Sequence, residues 1–182
     1  MKLEIRSGEL RASSPGRLSG YVARFNSETR IGDFAEVIRA GAFTTSLSDG
    51  RNIVALADHD RRALLGSTAS GTLQLREDAH GLAFDLRLPD TSVGRDVAVL
   101  VESGLIRGAS FGFMVPSGGD TWLDRGDGAM LRELRRVELH EVTVTAQPAY
   151  PDTEVAKRSM PSVYETHRVG IGSTNHLWLQ TV

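Results

Sequence analysis

Three polar residues, far apart along the chain, have side chains that can act together in catalysis. His59 follows an apolar run in ALADHD, Ser110 lies in GASFGF, and Glu141 lies in VELHEVTVT. A serine hydroxyl becomes a nucleophile when a histidine takes its proton, and a carboxylate can fix that histidine in the productive tautomer. These residue types allow acyl transfer, provided that the fold brings the three side chains to one solvent-reachable place.

The residues around Ser110 predict an open space on one side of a strand. Ala109, Phe111 and Phe113 alternate, and the apolar face that they form is expected to pack in the core. Ser110 and Gly112 point to the opposite face, where they leave a shallow depression because both have very little bulk. Either a closely packed helix or a ligand can fill such a depression, and the packing alternative is the commoner one.

His59 is the candidate general base, since histidine is the side chain that exchanges protons near neutral pH. The alternative is a surface histidine at the end of a strand over 52–60. Successive residues of a strand point to opposite faces, so Asp58 and Asp60 would point away from the His59 ring. Neither aspartate is therefore expected to orient the imidazole.

Glu141 is the least ordinary of the three residues. Strict alternation places it on the same strand face as Leu139 and Thr143, with His140 on the opposite face. Because burying an unpaired carboxylate is costly, Glu141 must be either hydrated at a sheet edge or paired with another group. The structural alternative is an edge carboxylate that faces an arginine, such as the nearby Arg135.

Composition limits the classes of protein to which the chain can belong. Its 182 residues suffice for one domain of common size, and the net charge of −2 gives no sign of a nucleic-acid binder. The absence of cysteine excludes disulfides, thiolate metal sites and a cysteine nucleophile, and it fits a reducing compartment. No apolar run is long enough to cross a membrane, and no cluster of metal ligands is recognisable, so we expect no membrane span, metal or cofactor.

Most of the chain alternates apolar and polar residues with a period of two, which predicts short β-strands. Strands are expected at 2–6, 16–25, 52–60, 71–78, 81–90, 107–115 and 131–146. The glycine- and aspartate-rich stretch 116–130 predicts an exposed loop between the last two strands. The pattern predicts a mainly β domain, most simply a small barrel.

Helices are expected in only two places. Apolar residues recur at helical spacing over 92–103, where Thr91 or Ser92 can cap the first turn. The stretch TTSLSDG at 44–50 predicts a short helix that ends at Gly50. After about residue 158 no periodic pattern remains, so we expect a tail there.

The stretch from Gly108 to Gly112 matches the G-x-S-x-G motif of α/β-hydrolases, which makes an esterase one alternative function. In that fold the serine lies on a sharp turn between a strand and a helix. The residues after Ser110 instead continue as a strand and then become a polar loop. We therefore interpret the match as accidental.

Five blocks follow one another along the chain. They are FAEVIRAGAFTTSL, VALADHD, LLGSTASGTLQLREDAHGLAFDLRLPDT, SGLIRGASFGF and VELHEVTVTAQPAYPDTEV. Taken together, these blocks resemble the prohead (capsid maturation) proteases of tailed bacteriophages, the group typified by phage HK97. The resemblance covers roughly residues 1–158 and does not extend into the tail at 159–182.

The resemblance implies both a fold and a set of site residues. Prohead proteases are related to the herpesvirus assemblins, so it implies a closed β-barrel of the assemblin type, made by residues 1–158. It assigns His59 as the general base and Ser110 as the nucleophile. Glu141 takes the third position, with His140 as the alternative.

Two further expectations concern the surroundings of the nucleophile. Gly108 and Gly112 would let an extended peptide come close to the hydroxyl. Assemblins have an arginine shortly after the third residue that helps to hold the oxyanion, whereas here no arginine occurs between that position and Arg158. Backbone N–H groups are therefore expected to hold the oxyanion.

The resemblance also implies a biological role. Such a serine endopeptidase cleaves scaffold or segments of the major capsid protein, and often itself, inside the immature procapsid in the host bacterial cytoplasm. TEVAKRSM and the tail would then be a region of self-cleavage, the alternative being a plain disordered terminus. Homodimerisation, as in assemblins, is left open. The rival function is a non-enzymatic scaffold or internal capsid protein on the same barrel.

Overall fold

The computed structural model describes residues 2–126 and 128–146, and most of these residues lie in β-strands. The larger of the two sheets in this described part, the large sheet, has the strand order β6-β5-β12-β9-β1-β2-β8-β7. Its strands are β1 (Glu4–Ser14), β2 (Arg17–Arg24), β5 (Val54–Ala57), β6 (Asp60–Ser67), β7 (Leu73–Glu77), β8 (Gly81–Arg87), β9 (Gly108–Met114) and β12 (Glu138–Thr145). Neighbouring strands are antiparallel, except that β12 and β5 are parallel. The strands predicted at 71–78 and 81–90 are confirmed as β7 and β8, which form an antiparallel pair.

The small sheet has the strand order β10-β11-β4-β3. Its strands are β3 (Glu28–Ile31), β4 (Phe34–Ile38), β10 (Asp120–Asp124) and β11 (Met130–Leu134). Strands β4 and β11, far apart in sequence, pair in parallel at the centre of this sheet.

The large sheet is an open half-barrel, so the expected closed β-barrel of the assemblin type is wrong. Its hydrogen-bonded order begins at β6 and ends at β7, and these two edge strands do not pair with each other in the described structure. The sheet curves because a strand that bulges bends and twists more strongly. Extra residues interrupt the register in β1, β2, β6 and β12.

Two predictions about the second half of the chain are also wrong. The stretch 116–130, expected to be a loop, contains strand β10, and the stretch 131–146, expected to be one strand, is divided between β11 and β12. The backbone N–H groups of Arg135 and Arg136 both donate to the carbonyl of Gly119, at 2.8 and 2.9 Å. These bonds turn the chain out of the small sheet, and it continues as a strand of the large one.

The helices agree with the sequence patterns. Helix α1 spans Thr44–Ser48, and Gly50 follows with a φ of 78°, a left-handed conformation that suits glycine. Helix α2 spans Ser92–Glu102, and the hydroxyl of Thr91 caps it by accepting a 3.1 Å bond from the N–H of Gly94.

The main core lies on one face of the large sheet. Ala109, Phe111 and Phe113 of β9 are buried there, as alternation predicts. Phe111 stacks on Phe113 with ring centroids 5.3 Å apart, and Phe43 packs edge-on against Phe111. Burying each of these rings contributes roughly 1.5–3 kcal/mol to stability. The opposite face of β9 is therefore left for polar residues.

Candidate active site

Strand pairing places three hydroxyl groups side by side on the face of the large sheet that is turned away from the core. Strand β9 lies between β1 and β12, and Ser110 is paired with Ser7 on β1 and with Thr143 on β12. Residues that are directly opposite in an antiparallel pair point to the same face. Ser110 therefore has a hydroxyl-bearing neighbour on each side.

Glu141 reaches this face through a β-bulge. Leu139 is paired with Phe113 and Glu141 with Gly112, so two steps along β12 correspond to one step along β9. The extra residue is His140. A bulge of this kind re-aims the side chains that follow it. Leu139 is in the core and Glu141 is not, so the prediction that they share a face is wrong.

Gly112 gives the Glu141 side chain the space that it occupies. A Cβ atom added to Gly112 would lie 2.8 Å from Cγ of Glu141 and 3.1 Å from its Oε1, and 2.8 Å is shorter than real Cβ contacts allow. The carboxylate thus crosses β9 at a residue that has no side chain. Substrate approach at Gly108 and Gly112 stays a prediction, since the space next to Gly112 holds protein atoms.

His59 lies on a tight turn and not at the end of a strand, because β5 ends at Ala57. Ala57 pairs with Asp60, so Asp58 and His59 form a two-residue hairpin loop. Both have positive φ, 47° and 59°, as the common type I′ hairpin turn requires at its two central positions. The N–H of Asp58 donates to the carbonyl of Val144 at 3.0 Å, which ties the turn to β12.

The turn brings the imidazole of His59 to the side chains of β12. Its Nδ1 lies 2.5 Å from Oε1 of Glu141 and 3.3 Å from Oγ1 of Thr143. The Glu141 side chain is 5% exposed, whereas that of His59 is 25% exposed. An ionised carboxylate only accepts hydrogen bonds, so this contact requires the proton on Nδ1 and leaves Nε2 as the basic nitrogen. A buried carboxylate paired with a histidine in this way is the arrangement that activates a serine.

Ser110 lies next to this pair in the sheet, since its cross-strand neighbour Thr143 contacts the imidazole. The serine is completely buried. The expectation of a solvent-reachable site is therefore met by His59 alone. The hydrogen bond between Ser110 and His59 stays a prediction.

His140, the alternative third member, occupies the bulge and is half-buried. Its Nε2 atom is buried and has no hydrogen-bond partner in the part of the chain that the structure describes. The carboxylate of Glu141, not this nitrogen, holds the ring of His59. The geometry therefore favours Glu141 for the third position.

A polar cleft of about 540 Å³ continues the same face of the sheet away from the nucleophile. Its lining includes Glu9, Tyr21 and Arg24. Glu9 on β1 is paired with Gly108 on β9, two residues from Ser110. The cleft thus begins two residue pairs away from Ser110 and has room for an extended peptide segment.

Within residues 2–126 and 128–146, the His, Asp and Glu side chains form no group of three that could hold a metal ion. In the same residues, no helix has the length and apolarity that a membrane span needs.

Comparison with known proteins decides the family. The family model for the Caudovirus prohead serine protease matches residues 1–166. The chain belongs to this family. The prohead protease resemblance seen in the sequence is thereby confirmed, and this prohead serine protease is a phage protein of capsid assembly. No curated protein matches the chain.

A solved structure shares the fold of this prohead protease. The capsid assembly protease gp21 of bacteriophage T4 superimposes with a TM-score of 0.55 at 12% sequence identity. The match covers 81% of this chain and 98% of that one. At this identity the likeness shows the fold alone. That fold is not the α/β-hydrolase fold, since Ser110 lies within strand β9 and not at a strand-to-helix turn.

Sequence reasoning missed one residue of the site, Thr143. Its side chain is fully buried and contacts the same imidazole nitrogen as Glu141. The signal that could have found it is a β-branched hydroxyl residue two positions after the carboxylate, on the same face of the strand. Threonine is common in β-strands, so a hydroxyl at this position does not stand out in the sequence.

Proposed function

We propose that this prohead serine protease is an endopeptidase that uses His59, Ser110 and Glu141 as a catalytic triad. The observation that carries the proposal is the 2.5 Å contact between Nδ1 of His59 and Oε1 of Glu141, on the sheet face where Ser110 lies. The resemblance of the sequence supports the same three residues. Family membership supports serine protease chemistry.

In this mechanism Nε2 of His59 takes the proton of Ser110 as the serine oxygen attacks a peptide carbonyl. The new C–O bond gives a tetrahedral oxyanion, and Glu141 stabilises the imidazolium through the Nδ1–H bond. His59 then gives its proton to the leaving amine as the C–N bond breaks. Water repeats the sequence of proton transfers and releases the acyl group from the serine.

The proposed substrates are scaffold and segments of the major capsid protein inside the procapsid, in the host bacterial cytoplasm. The T4 structure is that of a capsid assembly protease, and the family is described as prohead serine proteases. Both descriptions support a location inside the procapsid. Homodimerisation stays a prediction. The absence of nucleic-acid partners also remains an expectation from composition.

Self-cleavage is part of the proposal. Strand β12 ends at Thr145, which is paired with Gly108, two residues from Ser110 on the same face. The chain that continues from β12 therefore leaves the sheet beside the nucleophile. The segment TEVAKRSM at 153–160 and the tail at 159–182 lie outside the described residues.

The rival function, a non-enzymatic capsid component, is disfavoured by one feature of the site. The buried carboxylate of Glu141 is paired with the part-exposed ring of His59, which is the pairing that orients the general base of a serine protease and that a scaffold does not need. Gly112 is also shaped to admit that carboxylate.

A fluorescent fluorophosphonate and a proteome-derived peptide library test the proposal. Ser110→Ala should abolish both labelling and peptide cleavage while leaving the folded structure unchanged by circular dichroism. Retained cleavage by this variant would exclude Ser110 as the nucleophile.

The third position is tested with a matched pair of variants. Glu141→Gln should lower the cleavage rate by about 10³–10⁴-fold, as loss of the orienting carboxylate does in other triads. His140→Ala should stay within a few-fold of the parent, because its imidazole does not hold His59. The reverse ranking would give the third position to His140, and no loss in either variant would indicate a Ser–His dyad.

A further inference from the structure

We propose that Thr143 is a positioning residue that holds the imidazole of His59 in the productive orientation. This inference rests on the proposed function, since it concerns how the same triad is kept in place. Thr143 is completely buried, and its Oγ1 lies 3.3 Å from Nδ1 of His59.

The hydroxyl of Thr143 acts as a second acceptor for one proton. Glu141 holds Nδ1 at 2.5 Å, which places the single proton of that nitrogen between ring and carboxylate. A hydroxyl oxygen next to the same N–H accepts the longer arm of a three-centre hydrogen bond. The imidazole is thus held at Nδ1 from two positions of one strand, residues 141 and 143.

The two acceptors differ in stiffness, which is why the second one matters. Glutamate has three rotatable side-chain bonds, so Glu141 alone lets the ring swing about a single contact. Threonine is β-branched, and its position in a strand restricts χ1. Thr143 therefore restricts the orientation of the imidazole, while Glu141 supplies the negative charge that stabilises its N–H group.

The location of Thr143 links the base to the nucleophile. Thr143 is the cross-strand partner of Ser110, and directly opposite residues have Cβ atoms roughly 4.5–5.5 Å apart. A shift of the imidazole away from Thr143 would therefore change its distance to the serine oxygen. Because misplacement of reacting groups by about 1 Å can cost 100-fold in rate, this hydroxyl controls the rate of proton transfer.

The experiment compares variants of the full-length protein that differ only in the hydroxyl. Thr143→Val keeps the shape of the side chain, and Thr143→Ser keeps the hydroxyl. Thr143→Ser and Thr143→Ala form a second comparison. Both variants lack the methyl group, and only the serine variant has the hydroxyl. This pair keeps the comparison valid if the valine variant fails to fold.

The readout is labelling of Ser110 by a fluorescent fluorophosphonate, analysed as a maximal rate constant and a half-saturating concentration. Thr143→Val and Thr143→Ala should lower the maximal rate constant by roughly tenfold, the effect of losing one hydrogen bond to a charged group. The half-saturating concentration should not change, and Thr143→Ser should recover most of the rate.

Proton NMR supplies a readout that a merely structural role would not move. The Nδ1 proton of His59 should give a far-downfield signal that Glu141→Gln abolishes. Loss of the Thr143 hydroxyl should shift and broaden this signal, because the ring is then less well held. Thermal unfolding of each variant shows whether a rate change reflects lost structure.

Two failures are distinguishable. If Ser110→Ala is still labelled, the proposed function itself fails. If Ser110→Ala is silent but the hydroxyl-free variants react at the parental rate with an unchanged Nδ1 signal, only the role of Thr143 is overturned. Equal losses in Thr143→Ser and Thr143→Ala would likewise overturn it, because the hydroxyl would then be irrelevant.

Discussion

Gly112 has no side chain, and the position of the proposed catalytic carboxylate, Glu141, depends on this. Glu141 is the residue paired with it, and the carboxylate passes over the glycine towards His59. An added Cβ would lie 2.8 Å from Glu141 Cγ, and the atom that it meets belongs to a side chain that can move. A methyl group here would displace the carboxylate more easily than the strand.

Gly112→Ala should therefore impair catalysis more than stability. We expect the cleavage rate to fall by roughly 10- to 100-fold because the contact between Glu141 and His59 is broken or lengthened. The midpoint of thermal unfolding should change by only a few degrees. The rate of peptide cleavage and the unfolding midpoint, measured on the same preparation, check both expectations.

Gly94→Ala is the matched control. A Cβ at Gly94 in helix α2, outside the cleft, would lie 2.0 Å from the backbone oxygen of Pro89, which cannot move without moving the chain that leads into the helix. This variant should lose stability, and its folded fraction should keep the parental cleavage rate. If the two glycine variants lost cleavage rate and unfolding midpoint in the same proportion, the role assigned to Gly112 would be contradicted.

At the scale of elements, two irregularities place the side chains of the site. A bulge in β12 positions Glu141, and a tight turn after β5 positions His59. The sequence predicts both strands from alternation, and on β9 alternation also gives the correct faces. It fails on β12 because His140 is an extra residue, so counting forward from Leu139 puts Glu141 on the wrong face. Counting backward from Val142, which is in the core, gives the right one.

The turn could not be predicted either, because it lacks the Asn-Gly or Asp-Gly pair that marks such hairpins. Asp58 and His59 hold left-handed conformations that are unfavourable for residues with a Cβ atom. The resemblance identified His59 and Ser110, but the positive φ values that deliver the imidazole depend on tertiary contacts. Strain of this kind is typical of functional sites.

Asp58→Val tests the turn as an element. Asp58 is exposed, and a β-branched residue at its φ of 47° is strongly disfavoured. The variant should lose about 1–2 kcal/mol of unfolding free energy, and cleavage should fall more than tenfold as His59 moves. Urea denaturation and peptide cleavage provide the two measurements.

Asp60→Val, two residues further along in strand β6, is the control for this substitution. Its φ is not in the left-handed region, so the same change adds no backbone strain and should cost about 1 kcal/mol or less, from the loss of the bonds that Asp60 accepts from Arg62. It should also leave the cleavage rate close to that of the parent. An Asp58 variant that behaves like the Asp60 variant would show that the turn does not depend on its conformation.

At the scale of the whole molecule, a buried ionic network joins the two sheets. Arg132 of the small sheet binds Glu4 of the large sheet through two bonds, at 2.6 and 3.0 Å. Arg6 of the large sheet binds Glu36 of the small sheet, at 2.6 and 2.8 Å. The carboxylate of Asp120 accepts a further 2.7 Å bond from Arg132.

Sequence patterns predicted the mainly β architecture but neither the division into two sheets nor this network. The partners Glu4 and Arg132 are 128 residues apart, so no local period relates them. Both also lie in stretches where alternating charges suggest a solvated strand face. Pairing of β4 with β11 sets Glu36 opposite Arg132, and the packing of the two sheets then brings Glu4 to Arg132.

Acid should weaken the joint between the sheets. Burial alone would raise the pKa of Glu4, but the bonds and charges of Arg132 and Arg6 outweigh it and hold this pKa below the ordinary 4.5. A carboxyl with a lowered folded-state pKa stabilises the fold above its unfolded value, and the contribution is lost as pH falls through the folded value. The loss should therefore begin below about pH 4.5, the value of the unfolded chain.

Many carboxylates titrate in the same pH range, and Glu4→Gln separates the contribution of Glu4 to stability from theirs. At pH 7 the variant should lose roughly 3 kcal/mol of unfolding free energy, since it leaves buried arginines short of one charge. The difference between parent and variant should shrink as the pH is lowered towards 3, and it should be insensitive to salt. Glu28→Gln removes an exposed partner of Arg125, so its smaller difference should be screened by salt. Urea denaturation measures the difference in unfolding free energy between the parent and Glu4→Gln. If this difference stayed constant from pH 7 to 3, the ionised carboxylate of Glu4 would not be what joins the sheets.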